Sequence, residues 1–472
     1  SAASDVYKRQ GPDGMQPANL LTSSIEGVGI DTMRMKTGTP ARVHRAYIDF
    51  SGMEVQKGDE EIHPFSFSNF DKDYSDKEQI DCYLTYTTPE CHEIILENIE
   101  RSAMAMGDIE GTGPRYCPSI EDKVTRFGDR DRHQVFLEPE GLLTKEIYVQ
   151  GVSSSLPVEV QMALYKKIDG LEHCEFMRPA YAIEYDAIDA TRLDRSLEVM
   201  GVDNLYMAGQ INGSSGYEEA AAQGLVAGIN AALSIQGRDP LILRRDQAYI
   251  GVLIDDLVTK GTREPYRMMT ARAEYRLTLR QDNADLRLTE IGRSVGLVDD
   301  EQYERFTKRR DAIEKERERL ASIQINPTDE NIEKLAALGS ATLKNATPLL
   351  NLMQRPELTY DKLAVFDENR PPLPRHVIKE VETEVRYKGY IEKQMAQIQK
   401  FRKMENKILS KDLDYNAIKG LRNEAREKLS AIRPESVGQA GRISGVSPAD
   451  INVLLIYLEQ KNREANNELG DA

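Results

Sequence analysis

The most restrictive stretch of this sequence is Asn204–Gly224. There a short apolar run, Leu205–Ala208, gives way to Gly209, Gly213 and Gly216 and then to an alanine-rich segment. The run reads as strand, turn and helix in immediate succession, the unit from which α/β folds are built. Glycines in such a turn let backbone approach a ligand closely. Ser215, with Glu218 three residues on, has the form of a capping box opening the helix. Ala220, Ala221, Ala222, Gly224, Ala227, Gly228 and Ala231 then line it with side chains small enough for a cofactor or a sheet to lie against. The free N–H groups and positive dipole end of that helix suit a pyrophosphate or the electron-rich edge of a ring system. A tightly packed α/β crossover without a ligand satisfies the same pattern.

A chain of 472 residues is too long for one core, so two to four domains are expected. No apolar run reaches the ~20 residues that cross a bilayer, and a soluble, cytoplasmic protein is the expectation. The four cysteines, Cys82, Cys91, Cys117 and Cys174, form no C-x-x-C pair, and the six histidines are scattered. A disulfide framework or a metal site is therefore not expected. The formal charge of −16 disfavours a non-specific phosphate binder, so nucleic acid would need a local basic surface. Residues 1–10 carry no cap, periodicity or turn leading into Gly11-Pro12-Asp13-Gly14 and read as a foreign leader.

Along the rest of the chain, 17–29 reads as a short helix and Asp31–Thr37 as a strand. Residues 44–70 alternate and are aromatic, which suits β-structure. Pro89–Ala105 and 157–172 read as helices, and Val135–Leu137 and Ile147–Val149 as strands. Beyond 233 the pattern is helical and charged. Residues 299–323 carry a stripe of Tyr303, Phe306, Ile313 and Leu320, and residues 380–409 one of Ile391, Met395, Ile398, Phe401, Met404 and Ile408. Pro371–Pro374 looks like a hinge, and a last helix starts at Ser447-Pro448-Ala449-Asp450 with Ile451, Leu454, Leu455 and Leu458 on one face.

Three further groups carry chemistry. Cys117 stands between Pro114 and Pro118 with Arg115 near it, a fixed loop in which a cation favours thiolate. It could add to a pyrimidine or deliver a proton, or serve only as a small buried side chain. Lys36 to Arg42 places a lysine, two threonines, a glycine and an arginine within seven residues, suited to anions or to a solvated turn. Residues 263–293 hold seven arginines against five acids, and Arg272, Arg276 and Arg280 share a face if the stretch is helical. With Tyr266 and Tyr275 they could hold phosphates and stack bases, or form a salt-bridge lattice with the interleaved acids.

The strings AGQINGSSGYEEAAAQG, KTGTPAR, GTGPRYCPSIEDKVTRF, EPYRMMTARAEYRLTLRQDNADLRLTEIG and GRISGVSPADI occur in this order. Together they resemble the MnmG (GidA) family of tRNA uridine 5-carboxymethylaminomethyl modification enzymes, from residue 11 to about 460. The resemblance implies a Rossmann-type, glutathione-reductase-like FAD-binding domain with a small inserted α+β domain associated with NADH, and an all-α C-terminal region. It implies methylene-tetrahydrofolate as co-substrate and C5 of the anticodon wobble uridine as target. The implied partners are tRNA, an MnmE-type GTPase and a second copy of the chain, in a homodimer that joins the GTPase as a heterotetramer. Family members begin with a G-x-G-x-x-G turn for the ADP half of FAD, which does not occur in this chain, so an N-terminally truncated FAD domain is expected.

On this resemblance the FAD domain comprises 11–43 and 115–233, interrupted by an NADH-associated domain at 44–114. A tRNA-contacting helical region follows at 234–375, and a partner-binding bundle at 376–472, with the docking surface within 434–460. The resemblance assigns FAD contact to Gly209, Gln210, Gly213, Gly216 and Glu218, and NAD contact to Gly113, Pro114, Arg115, Tyr116 and Lys123. Cys117 is then the catalytic residue, and Arg272, Arg276, Arg280, Lys36 and Arg42 face tRNA. A folate-dependent flavoprotein tRNA uracil methyltransferase shares the flavin half but lacks the long helical C-terminal region. A small-molecule FAD oxidoreductase would need a redox C-x-x-C or a His/Arg cluster. A non-catalytic scaffold for tRNA or a GTPase would carry no flavin.

Overall fold

The structure, a computed structural model, describes residues 18–115, 118–410 and 412–470, without the side chains of residue 19 and of 462–470. The chain forms two compact units, one of 1–63, 73–241 and 261–268, the other of 64–72, 242–260 and 269–472.

The first unit is mixed α/β. It runs α1 (Asn19–Gly27), β1 (Thr32–Thr39), β2 (Arg42–His44), β3 (Glu54–Gln56), β4 (Cys82–Tyr86), α2 (Pro89–Asn98), α3 (Ile120–Arg126), β5 (Gln134–Pro139) and β6 (Glu146–Gln150). It continues with α4 (Val158–Tyr165), β7 (Phe176–Arg178), β8 (Tyr181–Ile188) and α5 (Tyr217–Ile235). Six strands form one antiparallel sheet in the order β3-β4-β5-β6-β2-β7, and β1 pairs antiparallel with β8 over its whole length. Alternation sets the buried face: Val135 and Leu137 of β5 and Ile147 and Val149 of β6 are buried, and their neighbours less so. That face packs with Cys91, Ile95, Ile120, Leu164 and Tyr165 from the helices.

Two expectations need redrawing. The sheet joins β3 and β4 to β5 and β6, so the boundary expected at 114/115 falls inside a hydrogen-bonded sheet. The alternating stretch 44–70 contributes only the end of β2 and the three residues of β3, and Phe65 is 92% exposed. Its aromatic spacing has the period of a strand but lacks a partner along most of its length.

The second unit is helical. It runs α6 (Tyr249–Lys260), α7 (Ala284–Ser294), α8 (Asp300–Ser322), β9 (Gln324–Ile325), α9 (Asp329–Ala337), β10 (Thr347–Pro348), α10 (Leu349–Leu352) and α11 (Arg375–Arg386). It ends with α12 (Lys388–Glu405), α13 (Asn423–Ile432), α14 (Val437–Ala440) and α15 (Pro448–Gly470). Asp299 and Gln302 cap α8 reciprocally, and Phe306, Ile313 and Leu320 of the expected stripe are buried. The single helix expected over 380–409 is two, broken at Tyr387 just before Gly389, a poor helix former. Of its expected stripe only Ile398 is buried, while Met395 and Ile408 are exposed. The last helix starts as read: Ser447 and Asp450 bond reciprocally, and Ile451 and Leu454 enter the terminal core. Among the described residues no helix is long and apolar enough to cross a membrane.

Candidate functional site

The segment 204–224 builds its turn differently from the expectation. Leu205–Ala208 forms no strand; it makes only an isolated bridge between Glu198 and Tyr206. A 3-10 turn over Gly209–Asn212 follows, with Gly209 at φ 81° and Gly213 at φ 76°, a region that favours glycine. A Cβ on Gly213 would lie 3.0 Å from Thr262 Cγ2 and 3.2 Å from Met35 Cε. Gly216, not Ser215, precedes α5, and no side chain caps it, so the expected capping box is absent. The first turn of α5 therefore presents backbone N–H groups that no cap satisfies.

The helix also buries a different face from the one expected. Glu219, Gln223, Val226, Ala227, Asn230 and Leu233 are buried, whereas Ala221, Gly224 and Gly228 are exposed. Gln223 is fully buried and its Oε1 accepts from the Gly209 N–H at 3.0 Å and from Asn212 Nδ2 at 2.9 Å. Asn212 Nδ2 also donates to the Met207 carbonyl at 2.8 Å. Asn212 Oδ1, Ser214 Oγ and Gln223 Nε2 are buried and have no hydrogen-bond partner among the described residues. Such atoms normally find a protein or water partner, so their clustering at one turn marks a place built for a polar ligand. Gln210 and Glu218 are exposed, while Glu219 takes the buried role: its Oε1 accepts the Met268 N–H at 2.8 Å. The missed signal was in the sequence: Glu219, Gln223 and Asn230 lie at i, i+4 and i+11 among apolar residues of one helical stripe.

A second feature is a narrow cleft lined by Lys36, Thr37, Gly38, Gly113, Pro114, Pro118, Ser119, Asp122, Ser153, Ser154, Ser155 and Ala182. Lys36 is 7% exposed, and a Cβ on Gly113 would lie 2.5 Å from its Cε. Burial draws the Lys36 ammonium below the usual lysine range, against the pull of Asp122 and Glu121. Glu121 is itself buried, accepting from Ser154 Oγ at 2.9 Å and from the Ser155 N–H at 2.8 Å. Gly113 and Pro114 line this cleft, Arg115 is exposed, and Lys123 Nζ donates to the Gly151 carbonyl at 2.8 Å. Tyr116 and Cys117 lie outside the described residues. The other cysteines, Cys82, Cys91 and Cys174, are not in disulfides, and burial pushes each thiol up, which keeps them inert.

The residues expected to face tRNA are not brought together as read. Arg42 bonds Glu140 at 2.9 Å and the Pro40 carbonyl at 3.0 Å, and lies over the Tyr148 ring at 4.8 Å, a structural role. Only Thr270–Arg272 is a 3-10 turn and helix resumes at Ala284, so Arg272, Arg276 and Arg280 share no helix face. Side chains hold this loop by its backbone: Arg245 donates to the Arg272 carbonyl, Arg280 to that of Leu277, and Arg287 to that of Arg280. Arg280 pairs with Asp282 at 2.9 Å and with buried Glu380 at 2.5 Å, and burial pushes the Glu380 carboxyl up to about 7. Arg276 is exposed, but Tyr266 and Tyr275 are buried, which removes them as stacking platforms. Among the described residues no group of three or more His, Cys, Asp or Glu could hold a metal.

Fold and site together define an α/β unit with a glycine-rich turn, joined in sequence to a largely helical unit. A family model described as "Glucose inhibited division protein A" matches residues 3–239, beginning inside the stretch set aside as foreign. The models "tRNA modifying enzyme MnmG/GidA C-terminal helical domain" and "C-terminal helical bundle" match residues 300–395 and 397–471. The tRNA uridine 5-carboxymethylaminomethyl modification enzyme MnmG of Finegoldia magna is 59% identical over 453 residues, 96% of this chain and 72% of that protein. The enzyme of the same name from Caldicellulosiruptor saccharolyticus is 58% identical, with the same shares covered. A crystal structure of Aquifex aeolicus GidA matches with a TM-score of 0.81 at 44% identity, covering 93% of this chain and 69% of that one. The chain belongs to the MnmG/GidA family of tRNA-modifying enzymes. The two helical matches cover the region by which the sequence separates this family from the folate-dependent methyltransferase.

Proposed function

We propose that the chain is the flavin subunit of a cytoplasmic tRNA-modifying enzyme that builds a carboxymethylaminomethyl-type group on C5 of a wobble uridine. In this reading it works as a homodimer with an MnmE-type GTPase, using FAD, NADH and methylene-tetrahydrofolate. The observation that carries it is the turn Gly209–Gly216, where Asn212, Ser214 and Gln223 bury polar atoms that have no partner among the described residues, beside a helix start that no side chain caps. These groups fit a flavin ring edge, which offers donors and acceptors in one plane. Glu218 and Glu219 in the first turn of α5 repel a pyrophosphate, which favours the ring over the phosphates as the group held there. Bound FAD supplies electrons to the reaction.

This chain's own residues have the remaining tasks. Gly209 and Gly213 keep side chains out of the ring's place, and Gln223 holds the turn through the Gly209 N–H. Cys117, between two prolines, is the thiol that engages the uridine. Arg276 is an exposed cation of the arginine-rich stretch 263–293, suited to a tRNA phosphate. The apolar face of α15 belongs to the surface that meets the GTPase; deleting 434–472 should abolish co-elution with it and spare flavin absorbance.

The test is nucleoside analysis of tRNA treated with the chain, FAD, NADH, methylene-tetrahydrofolate, an amine donor, and the partner GTPase with GTP. Wild type should yield C5-modified wobble uridine, and Cys117→Ser should bind FAD equally and yield none. Normal modification by the serine variant would return Cys117 to a structural role, and flavin-loaded wild type that leaves the wobble uridine unmodified would reject the reading.

A further inference from the structure

A cavity of about 250 Å³ lies wholly within the second unit, and nothing in the reading above uses it. Gln302, Arg305, Phe306 and Arg309 line it from one stripe of α8, because residues three, four and seven apart share a helix face. The segment 64–72 supplies another wall. There Ser66 caps the 3-10 turn Phe67–Asn69, and so tight a turn brings Phe67 and Phe70 to one side, with ring centroids 4.8 Å apart. His376 of α11 adds a third ring, 5.1 Å from Phe70. The volume far exceeds the ~10–15 Å³ that one water needs and falls just short of the ~300–1,000 Å³ of whole-ligand sites. It is room for one ring system.

The walls select its chemistry. Arg309, 6% exposed, gives Nη1 to both oxygens of buried Asp285 at 2.8 Å and Nη2 to the Asp282 carbonyl at 3.0 Å, and Arg305 pairs with Glu301. These two cations balance Asp71 and Asp285 in the lining, which leaves no excess charge to hold a phosphate. Burial, with Arg309 nearby, draws His376 below the usual histidine range, so its ring is neutral at pH 7. A purely apolar guest is mismatched too, since Arg309 Nε is buried with no partner among the described residues, and Thr289 and Gln302 add polar atoms. Aromatic faces, polar edges and no net charge match a planar heterocycle. A base splayed out of an RNA strand presents such a ring while its backbone stays outside, as the cavity's size demands.

We propose that this cavity takes one unstacked nucleobase of tRNA, with Phe67 as a stacking, specificity-determining residue. The proposal rests on the tRNA reading above. The test measures tRNA affinity by filter binding across a range of salt, using the full chain with FAD and its variants Phe67→Ala, Phe67→Tyr and Phe65→Ala. Phe65 is the control: it is 92% exposed on the same segment and does not line the cavity. Phe67→Ala should weaken binding on the order of 10- to 100-fold, the loss of one base–aromatic stack. The slope of log affinity against log salt should not change, because no phosphate contact is removed. Phe67→Tyr should recover most of the affinity, and Phe65→Ala should bind as wild type does. Unchanged affinity in Phe67→Ala overturns the proposal, as does an equal loss in Phe65→Ala or a loss that tyrosine does not recover. So does binding of AMP or NADH that Phe67→Ala abolishes while tRNA affinity stays the same, since the cavity then serves a free nucleotide. Flavin-loaded wild type that retains no tRNA rejects the tRNA reading and this proposal with it.

Discussion

Replacing Gln223 by leucine would test whether the glycine turn is held from behind by one side chain. Gln223 Oε1 satisfies two donors, the Gly209 N–H and Asn212 Nδ2, and is fully buried with Gly209 and Asn212. Leucine keeps most of the volume, so the transfer and cavity terms stay small. The loss is then the burial of donors without acceptors, each about 1–3 kcal/mol, or about 2–6 kcal/mol together. Asn212 Nδ2 keeps the Met207 carbonyl, which places the expectation in the lower half of that range. In a unit of this size each kcal/mol moves the midpoint by roughly 2–4 °C, so a fall of roughly 4–16 °C should appear in thermal melts followed by far-UV circular dichroism. Flavin absorbance of the purified variant should fall with it, since the turn that carries Gly213 loses its anchor. A variant that melts with wild type and binds FAD equally would show that Gln223 neither supports the turn nor shapes the site.

Gly213→Ala should lower both stability and FAD affinity, by about 1–2 kcal/mol for the left-handed backbone alone, with more from contact at 3.0 Å to Thr262; unchanged melting and flavin titration would contradict this. Arg245, 2% exposed, pairs with Asp255, Asp256 and Glu274, so Arg245→Met should cost about 3–5 kcal/mol at pH 7. Burial alone would raise the Asp256 carboxyl, but Arg245 and Lys260 hold it below the usual range. Its contribution is therefore present above the unfolded carboxylate range and lost as pH falls through the folded value, and the gap between wild type and variant should narrow as pH falls below ~4; melts showing a gap that widens on acidification would refute the assignment. Ser447→Ala removes the bonds to Asp450 that open α15 and should cost about 0.5–2 kcal/mol, read as an earlier loss of helical signal on heating.

What the sequence determined by itself is local. Ser447-Pro448-Ala449-Asp450 and Asp299 with Gln302 start their helices because cap, first turn and apolar stripe lie within one or two turns of chain. The ordered family strings likewise fix the family, as the matches over 3–239, 300–395 and 397–471 bear out. Pairing across long separations was not legible. β2 joins β6 and β7, about a hundred residues or more further on, and β1 joins β8, because hydrogen bonds between strands have no signature in either strand alone. The same limit governs the charges. Arg272, Arg276 and Arg280 have helical spacing, but buried Glu380 takes Arg280, and the side chains of Arg245 and Arg280 take the loop's own carbonyls at Arg272 and Leu277, which a helix would need. Lys36 looked like one more anion-seeking lysine in a turn; only the fold around β1 buries its ammonium beyond the reach of any oxygen partner among the described residues. Burial and partner supply are properties of the packed chain, and they decide what a charged side chain can do.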